Sequence, residues 1–206
     1  MTPNKASVTY YAPLDVRIEE MDVMPDVGKG DVLLEIEACA ICGTDIKSFL
    51  SGNPRIKPPQ IMGHELCGTI IKIGQDVDNY RIGQRVTMAT TIGCGDCIYC
   101  NAGRTNLCRK SQAMGFHYPG AMAPYIRIPA IAVQQNHLVD VGGLDATLAA
   151  LGEPLSCVIN SLSRVPSSAY KNVLILGLGP LGLLHAVSVR EKGAENIVCV
   201  DFQGKR

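Results

Sequence analysis

The first part of the chain alternates apolar and polar positions with a period of two. Val16 and Ile18 stand between charged neighbours, and Val32, Leu34 and Ile36 alternate with Leu33, Glu35 and Glu37. That period sends successive side chains to opposite faces, so residues 1–40 are predicted to form strands, the second run half-buried. Pro25, Gly28 and Gly30 mark the turn between them. A further strand-like run covers Leu66 to Gly74, with loop from Pro54 to Pro59 before it. Beyond Gly152 the pattern changes. A helix is predicted to about Ser163 and is stopped by Val165-Pro166. Val173 to Leu176 then reads as an apolar strand, Leu181 to Lys192 as a helical segment, and Ile197 to Val200 as a second apolar strand ending in Asp201. The fold class expected is α/β with a β-rich first part.

One stretch has no such period. Cys94, Cys97, Cys100 and Cys108 place four thiols in a single short loop. Four soft ligands so close can close a tetrahedral shell around one Zn²⁺ with no open position, the geometry of a structural site. Gly95 and Gly103 let the backbone fold back where the sulfurs converge. A redox pair would need only two cysteines, and disulfides would need a secretory context that nothing in the sequence supports. Arg104, Arg109 and Lys110 lie close in sequence and offset the local negative charge.

Composition narrows the function classes. The 206 residues are 47% hydrophobic, and 19 basic and 19 acidic residues balance. That argues against a nucleic-acid surface and against adsorption to membranes. No apolar run reaches about 18 residues, and the N-terminus shows no signal-peptide core. Nine cysteines without an export signal point to reduced thiols and metal ligands, hence a cytoplasmic location.

A second constellation precedes the lobe. Cys39 and Cys42 form a C-x-x-C, but the strand–motif–helix setting of a thioredoxin-like βαβ unit is not evident. Gly63-His64-Glu65 follows some twenty residues later, beside the Leu66 strand, and with Cys42 makes a better ligand set.

Three blocks in this order, Cys42-Gly43-Thr44-Asp45, then Gly63-His64-Glu65 with Gly68 and Gly74, then the four-cysteine lobe, together resemble the zinc-containing medium-chain dehydrogenase/reductase family. Arg81-Ile-Gly83-Gln-Arg85-Val86 fits the same pattern. The resemblance covers essentially the whole chain. It implies a GroES-like partial barrel over residues 1–150, followed over 151–206 by the opening of a Rossmann domain, the N-terminal part of a longer enzyme. Pro124 stands where the family usually has Glu, which requires an edge or bulged position. Glu153-Pro154-Leu155 is similar to the polyol branch, related to sorbitol dehydrogenase, where alcohol-type members carry a zinc-binding Cys at the position of Glu153.

The resemblance implies two zinc ions per chain. One is structural, held by Cys94, Cys97, Cys100 and Cys108. The other is catalytic, held by Cys42, His64 and either Glu65 or Glu153. Thr44 would pass the substrate proton outward; its alternative role is an N-cap for the following helix. Lys47 replaces a histidine usual in the relay and is either a solvated lysine or an anchor for an anionic substrate. His117 is near the substrate pocket or structural. His137 and His185 read as structural, and Cys67 and Cys199 as small buried residues. Cys157 lies near the nicotinamide or in the core. Gly177, Gly179, Pro180, Leu181 and Gly182 form G-x-G-x-x-G between a strand and a helix, a dinucleotide-binding loop. Asp201 is placed to bind the ribose 2′-hydroxyl of NAD and to repel a 2′-phosphate, with Lys205 and Arg206 moderating that preference.

The function expected is a zinc-dependent oxidoreductase that moves hydride between a polyol or related secondary alcohol and NAD. The alternatives are a threonine-type amino-alcohol dehydrogenase and a zinc-binding domain without turnover. The expected partner is a small alcohol, with no nucleic acid or membrane, and the full-length form is expected to be a homo-oligomer.

Overall fold

The computed structural model describes residues 6–21, 23–166 and 170–202. The first five residues, and Lys205 and Arg206, lie outside the described residues. Contacts divide the chain into two units, Met1–Glu153 and Pro154–Arg206.

The first unit opens with the antiparallel pair β1 (Ala6–Ala12) and β2 (Asp15–Glu20), followed by β3 (Val32–Ala40), α1 (Gly43–Ser51), β4 (Gln60–Ile61) and β5 (Glu65–Ile73). Next come β6 (Arg85–Met88), β7 (Thr91–Ile92), α2 (Ile98–Asn101), a 3₁₀ turn at Thr105–Leu107, β8 (Gln112–Ala113) and β9 (Tyr125–Ile128). The unit ends with α3 (Ala130–Gln134), β10 (Leu138–Asp140) and α4 (Ala146–Ala150). Helix α5 (Gly152–Leu162) follows.

The central sheet has the order β10-β6-β5-β3-β9, and a three-stranded sheet has the order β2-β1-β4. The core lies against the central sheet, where Val32, Leu34, Leu66, Ile70, Val86, Ile126 and Ile128 are buried. Each such side chain contributes roughly 1.5–3 kcal/mol. Strand β3 is flanked on both edges, by β5 and β9, and Leu33 is buried as well as Val32 and Leu34. The alternation expected there therefore holds only from Glu35 onward. In β2, Ile18 is 79% exposed, because the strand pairs only with β1 among the described residues. Pro124 directly precedes the edge strand β9, and its carbonyl accepts from Ile36 N at 2.8 Å, so its missing donor costs no ladder bond.

The second unit contains β11 (Asn172–Leu176), α6 (Pro180–Glu191) and β12 (Asn196–Val200), with the two strands parallel and in register from Asn172↔Asn196 to Leu176↔Val200. Its core is Val158, Leu162, Tyr170, Ile175 and Val189. Leu174, Leu176 and Val198 are exposed. Cys199, expected to be buried, is exposed too, since β12 has β11 as its only strand neighbour among the described residues. Cys67 is fully buried, packed with Ala149 and Ala150.

No helix among the described residues is long and apolar enough to cross a membrane.

Candidate active site

The four lobe thiols converge as their spacing implied. Each Sγ of Cys94, Cys97, Cys100 and Cys108 lies within 4.8 Å of the others. Gly95 and Gly103 take the left-handed φ values of +83° and +69° that the reversal demands. Gly93 is close-packed: a Cβ there would stand 2.6 Å from Cys100 Sγ. Cys97 caps α2, and hydrogen bonding, chiefly from the Cys100 backbone amide, lowers its thiol to about 7. Backbone amides that favour thiolate in this way suit a metal-binding loop.

The second cluster is assembled from distant segments. Cys42 is the N-cap of α1, whereas His64 and Glu65 sit at the start of β5 and are both buried. Their ligand atoms lie within 4.8 Å of one another. Thr44 is inside the helix rather than its N-cap, because the chain enters the helical conformation one residue after Cys42. The Cys42 thiol instead points to Thr44 Oγ1 at 3.6 Å. Gly63 delivers His64 into the cluster with φ +94°, and a Cβ there would stand 2.7 Å from Cys39 Sγ and 2.9 Å from Met122 N. Only glycine fits that turn.

Asp45 is a residue that the sequence motif contained but sequence reasoning gave no task. It is buried at the third position of α1, accepts from Cys42 N at 2.9 Å through Oδ2, and has Oδ1 3.6 Å from His64 Nδ1. It thus steadies the helix start that carries Cys42 and faces the second ring nitrogen of His64, the place of the carboxylate behind a metal-ligating histidine. Its helix-start position, with a histidine twenty residues on, was the only available signal.

Glu153 is not in the three-residue cluster, yet its charge acts on His64. Burial pushes the Glu153 carboxyl up, against the pull of His64, and Glu65 and Asp45 add to the rise. Burial opposes the charged form of His64, but Cys42, Asp45 and Glu153 outweigh it and leave the imidazole above its ordinary range. Burial likewise raises Asp45. Three carboxyls and a thiol thus surround one imidazole, and His64 Nδ1 is buried with no hydrogen-bond partner among the described residues. A soft–borderline donor set with surplus negative character fits a divalent metal.

Cys39 lies near the end of β3, and the C-x-x-C does join that strand to α1, but β3 and β5 are antiparallel and burial pushes the Cys39 thiol up to about 12, so it is no thioredoxin-like nucleophile. Lys47 and His117 are exposed; His117 Nδ1 accepts from Ala113 N at 3.1 Å. His137 is buried with Nδ1 2.6 Å from Ala89 O, and His185 lies 2.8 Å from Leu181 O and 3.0 Å from Ser161 Oγ, so both are structural. Cys157 is exposed, outside the core.

In the second unit, Gly177 takes φ +95°, Gly179 caps α6 and Pro180 occupies its first turn. A Cβ on Gly182 would stand 1.9 Å from Gly177 O, so the loop closes only with glycine there. Leu181 is half exposed. Asp201 accepts from Leu178 N at 2.7 Å, which ties the end of β12 to the glycine loop. The N-terminus of α6 follows that loop, the arrangement that receives a pyrophosphate.

Residues 28–137 match the alcohol dehydrogenase GroES-like domain. The chain is 31% identical to L-galactonate-5-dehydrogenase of Escherichia coli (strain K12) over 183 residues, 89% of this chain and 52% of that protein. It is 37% identical to L-threonine 3-dehydrogenase of Pyrococcus horikoshii over 182 residues, 87% of this chain and 51% of that protein. It thus spans about half the length of the curated relatives it matches. A zinc-binding dehydrogenase of Sinorhizobium meliloti 1021, solved bound to NADP, superposes with a TM-score of 0.88 and 32% identity over 97% of this chain and 57% of that one. Galactitol-1-phosphate dehydrogenase of Escherichia coli gives 0.86 and 25% over 97% and 56%.

Proposed function

Because the chain belongs to the zinc-containing medium-chain dehydrogenase/reductase family and corresponds to its N-terminal part, we propose that it carries the metal centre and the opening of the cofactor site of an NAD-dependent polyol or secondary-alcohol dehydrogenase. The observation that carries this reading is the convergence of Cys42, His64 and Glu65.

Those three residues would hold the catalytic zinc, with Glu153 as the exchangeable ligand or water base. When bound, zinc supplies Lewis acidity toward the alcohol hydroxyl. Bound NAD supplies the acceptor for the hydride that leaves the carbinol carbon. Thr44 Oγ1, beside Cys42 Sγ, takes the hydroxyl proton toward solvent. Asp45 keeps His64 and the Cys42 backbone in place. Gly177, Gly179, Pro180, Leu181 and Gly182 form the cradle of the pyrophosphate, and Asp201, at the end of β12, meets the ribose and disfavours a 2′-phosphate. Cys94, Cys97, Cys100 and Cys108 hold a second, structural zinc.

Identity to L-threonine 3-dehydrogenase favours a second substrate reading, an amino alcohol, while Glu153-Pro154 favours the polyol branch. Three of the four relatives named above are named for galactonate, threonine and galactitol 1-phosphate, alcohols that each carry an anionic group.

Elemental analysis tests the metal reading directly. We expect two zincs per chain, falling to one in Cys42→Ala. One zinc unchanged by that substitution would remove the catalytic site. NAD reduction with sorbitol, xylitol, galactitol phosphate and threonine then separates the two substrate readings.

A further inference from the structure

A cation and the candidate metal cluster share one aromatic neighbour, Phe116. Phe116 is buried, and its ring centroid lies 5.5 Å from that of His64. The guanidinium carbon of Arg55 sits over the same Phe116 ring, 4.6 Å from its centroid. The three side chains come from three segments; Phe116 is held in a core, and Arg55, although exposed, rises from an anchored loop. Phe116 belongs to a small core with Tyr10, Ile56 and Met62, and its carbonyl accepts from Gln60 Nε2 at 3.0 Å. Arg55 precedes the buried Ile56, and its backbone N–H donates to Asn53 Oδ1 at 3.1 Å. Asn53 in turn donates to Ser48 Oγ at 3.4 Å, on the helix that starts at Cys42. The loop that carries the guanidinium is therefore tied to the element that carries the first ligand.

Among the described residues the Arg55 guanidinium makes no ion pair and no hydrogen bond. Its only partner is the Phe116 face, which orients the planar fork without using its donors. An arginine seated over an aromatic ring, with its N–H donors uncommitted among the described residues, can take a carboxylate or phosphate in bidentate fashion. Lys47, to which the sequence gave that option, is exposed on α1 and has no such platform.

Building on the metal-centre reading above, we propose that Arg55, seated on Phe116, is the specificity residue that binds an anionic group on the substrate, so that the site favours alcohols with a carboxylate or phosphate several carbons from the reacting hydroxyl.

The test is an NMR titration of the zinc-loaded chain that follows the Arg55 Nε–H signal and the His64 ring signals. The probes are 5-hydroxyhexanoate and 4-hydroxypentyl phosphate, each with its neutral diol counterpart, hexane-1,5-diol or pentane-1,4-diol. We expect an anionic probe to move both signals with one half-saturation point, about ten-fold or more below that of its diol, which moves His64 alone. Arg55→Ala should raise the anionic half-saturation point to that of the diol, and Arg55→Lys should recover part of the difference. Whichever anion saturates first identifies the preferred head group. If His64 responds and Arg55 does not, or if Arg55→Ala leaves the difference intact, the proposal falls while the metal-centre reading stands. If neither signal responds to any probe, both fall together.

Discussion

The four-thiol lobe and the Cys42–His64–Glu65 cluster are built from opposite kinds of sequence. The lobe ligands come from one loop of fifteen residues with only one turn each of α- and 3₁₀-helix, α2 and Thr105–Leu107. The cluster takes its ligands from a helix start and a strand start, brought together by the β3–β5 pairing and bridged by Asp45. With zinc in the lobe as proposed, a loop with so little core of its own would draw its order from the metal, whereas residues fixed by a sheet and a helix would keep their places without it. The lobe is also a closed set of one ligand type. The cluster mixes thiol, imidazole and carboxyl, and has Glu153 and Thr44 beside it. The first arrangement is suited to holding shape and the second to exchanging a ligand, which is what chemistry on a substrate requires.

The largest effect should follow from breaking the lobe. Zinc binding by such sites is worth about 10–16 kcal/mol near neutral pH. Cys97→Ala or Cys108→Ala should abolish one zinc and expose residues 94–108 to protease, while the central sheet keeps its circular-dichroism signal. Limited proteolysis with mapping of the first cut checks this. A lobe that resists protease in both variants would mean that its order does not come from metal.

The cluster should behave the other way. Asp45→Asn retains shape but loses the charge that faces His64, so metal affinity at this site should fall about 10–100-fold with little change in melting temperature. Competition with a graded series of chelators measures it, and the lobe zinc serves as the internal reference. Equal loss from both sites would erase the distinction between them.

Gly63→Ala probes how firmly the fold holds the cluster. The position has φ +94° and Met122 N lies 2.9 Å from the added Cβ, so strain of about 1–3 kcal/mol is expected. The melting midpoint should drop by about 2–4 °C per kcal/mol. Because the strain falls between Gly63 and His64, metal affinity should drop with it. Destabilisation without loss of affinity would show that the cluster adapts more freely than the packing implies.

These differences also explain what the sequence could disclose. The convergence of the lobe thiols was readable because all four are local and their spacing is itself the geometry. The glycine loop was readable for the same reason, including Gly182, which no other residue can replace beside Gly177 O. Strand β3 followed from its alternation and β5 from a strand-like apolar run. Asp45 acquires its task only when β5 folds back onto α1, and Arg55 meets Phe116 across some sixty residues of chain. Neither contact has a local period or spacing. Cys199 went wrong for a related reason: apolar character in a strand foretells burial only if another element covers that face, and the exposure of Ile18 follows the same rule.

The smallest effect concerns a carboxylate remote from both sites and sharpens the contrast with the cluster's raised acids. Glu37 is opposed by partial burial, but hydrogen bonds from Arg85 and Thr69 and the charge of Arg85 hold its carboxyl below the usual range. Arg85 Nη2 lies 2.7 Å from Glu37 Oε2, and Thr69 Oγ1 donates to Glu37 Oε1 at 2.5 Å. A carboxyl lowered by folding stabilises the native state above its unfolded value, about 4.3, and the benefit disappears as pH falls through the lower folded value. Both partners are partly exposed, so the pair belongs to the surface class worth about 0–1 kcal/mol. Wild type should therefore melt slightly above Glu37→Gln at neutral pH, and the gap should close on acidification below about pH 4 and narrow in high salt. Melting curves of both proteins across that range decide it. A gap that persists in acid would mean that Glu37 acts through the shape of its contacts with Thr69 and Arg85 and not through its charge.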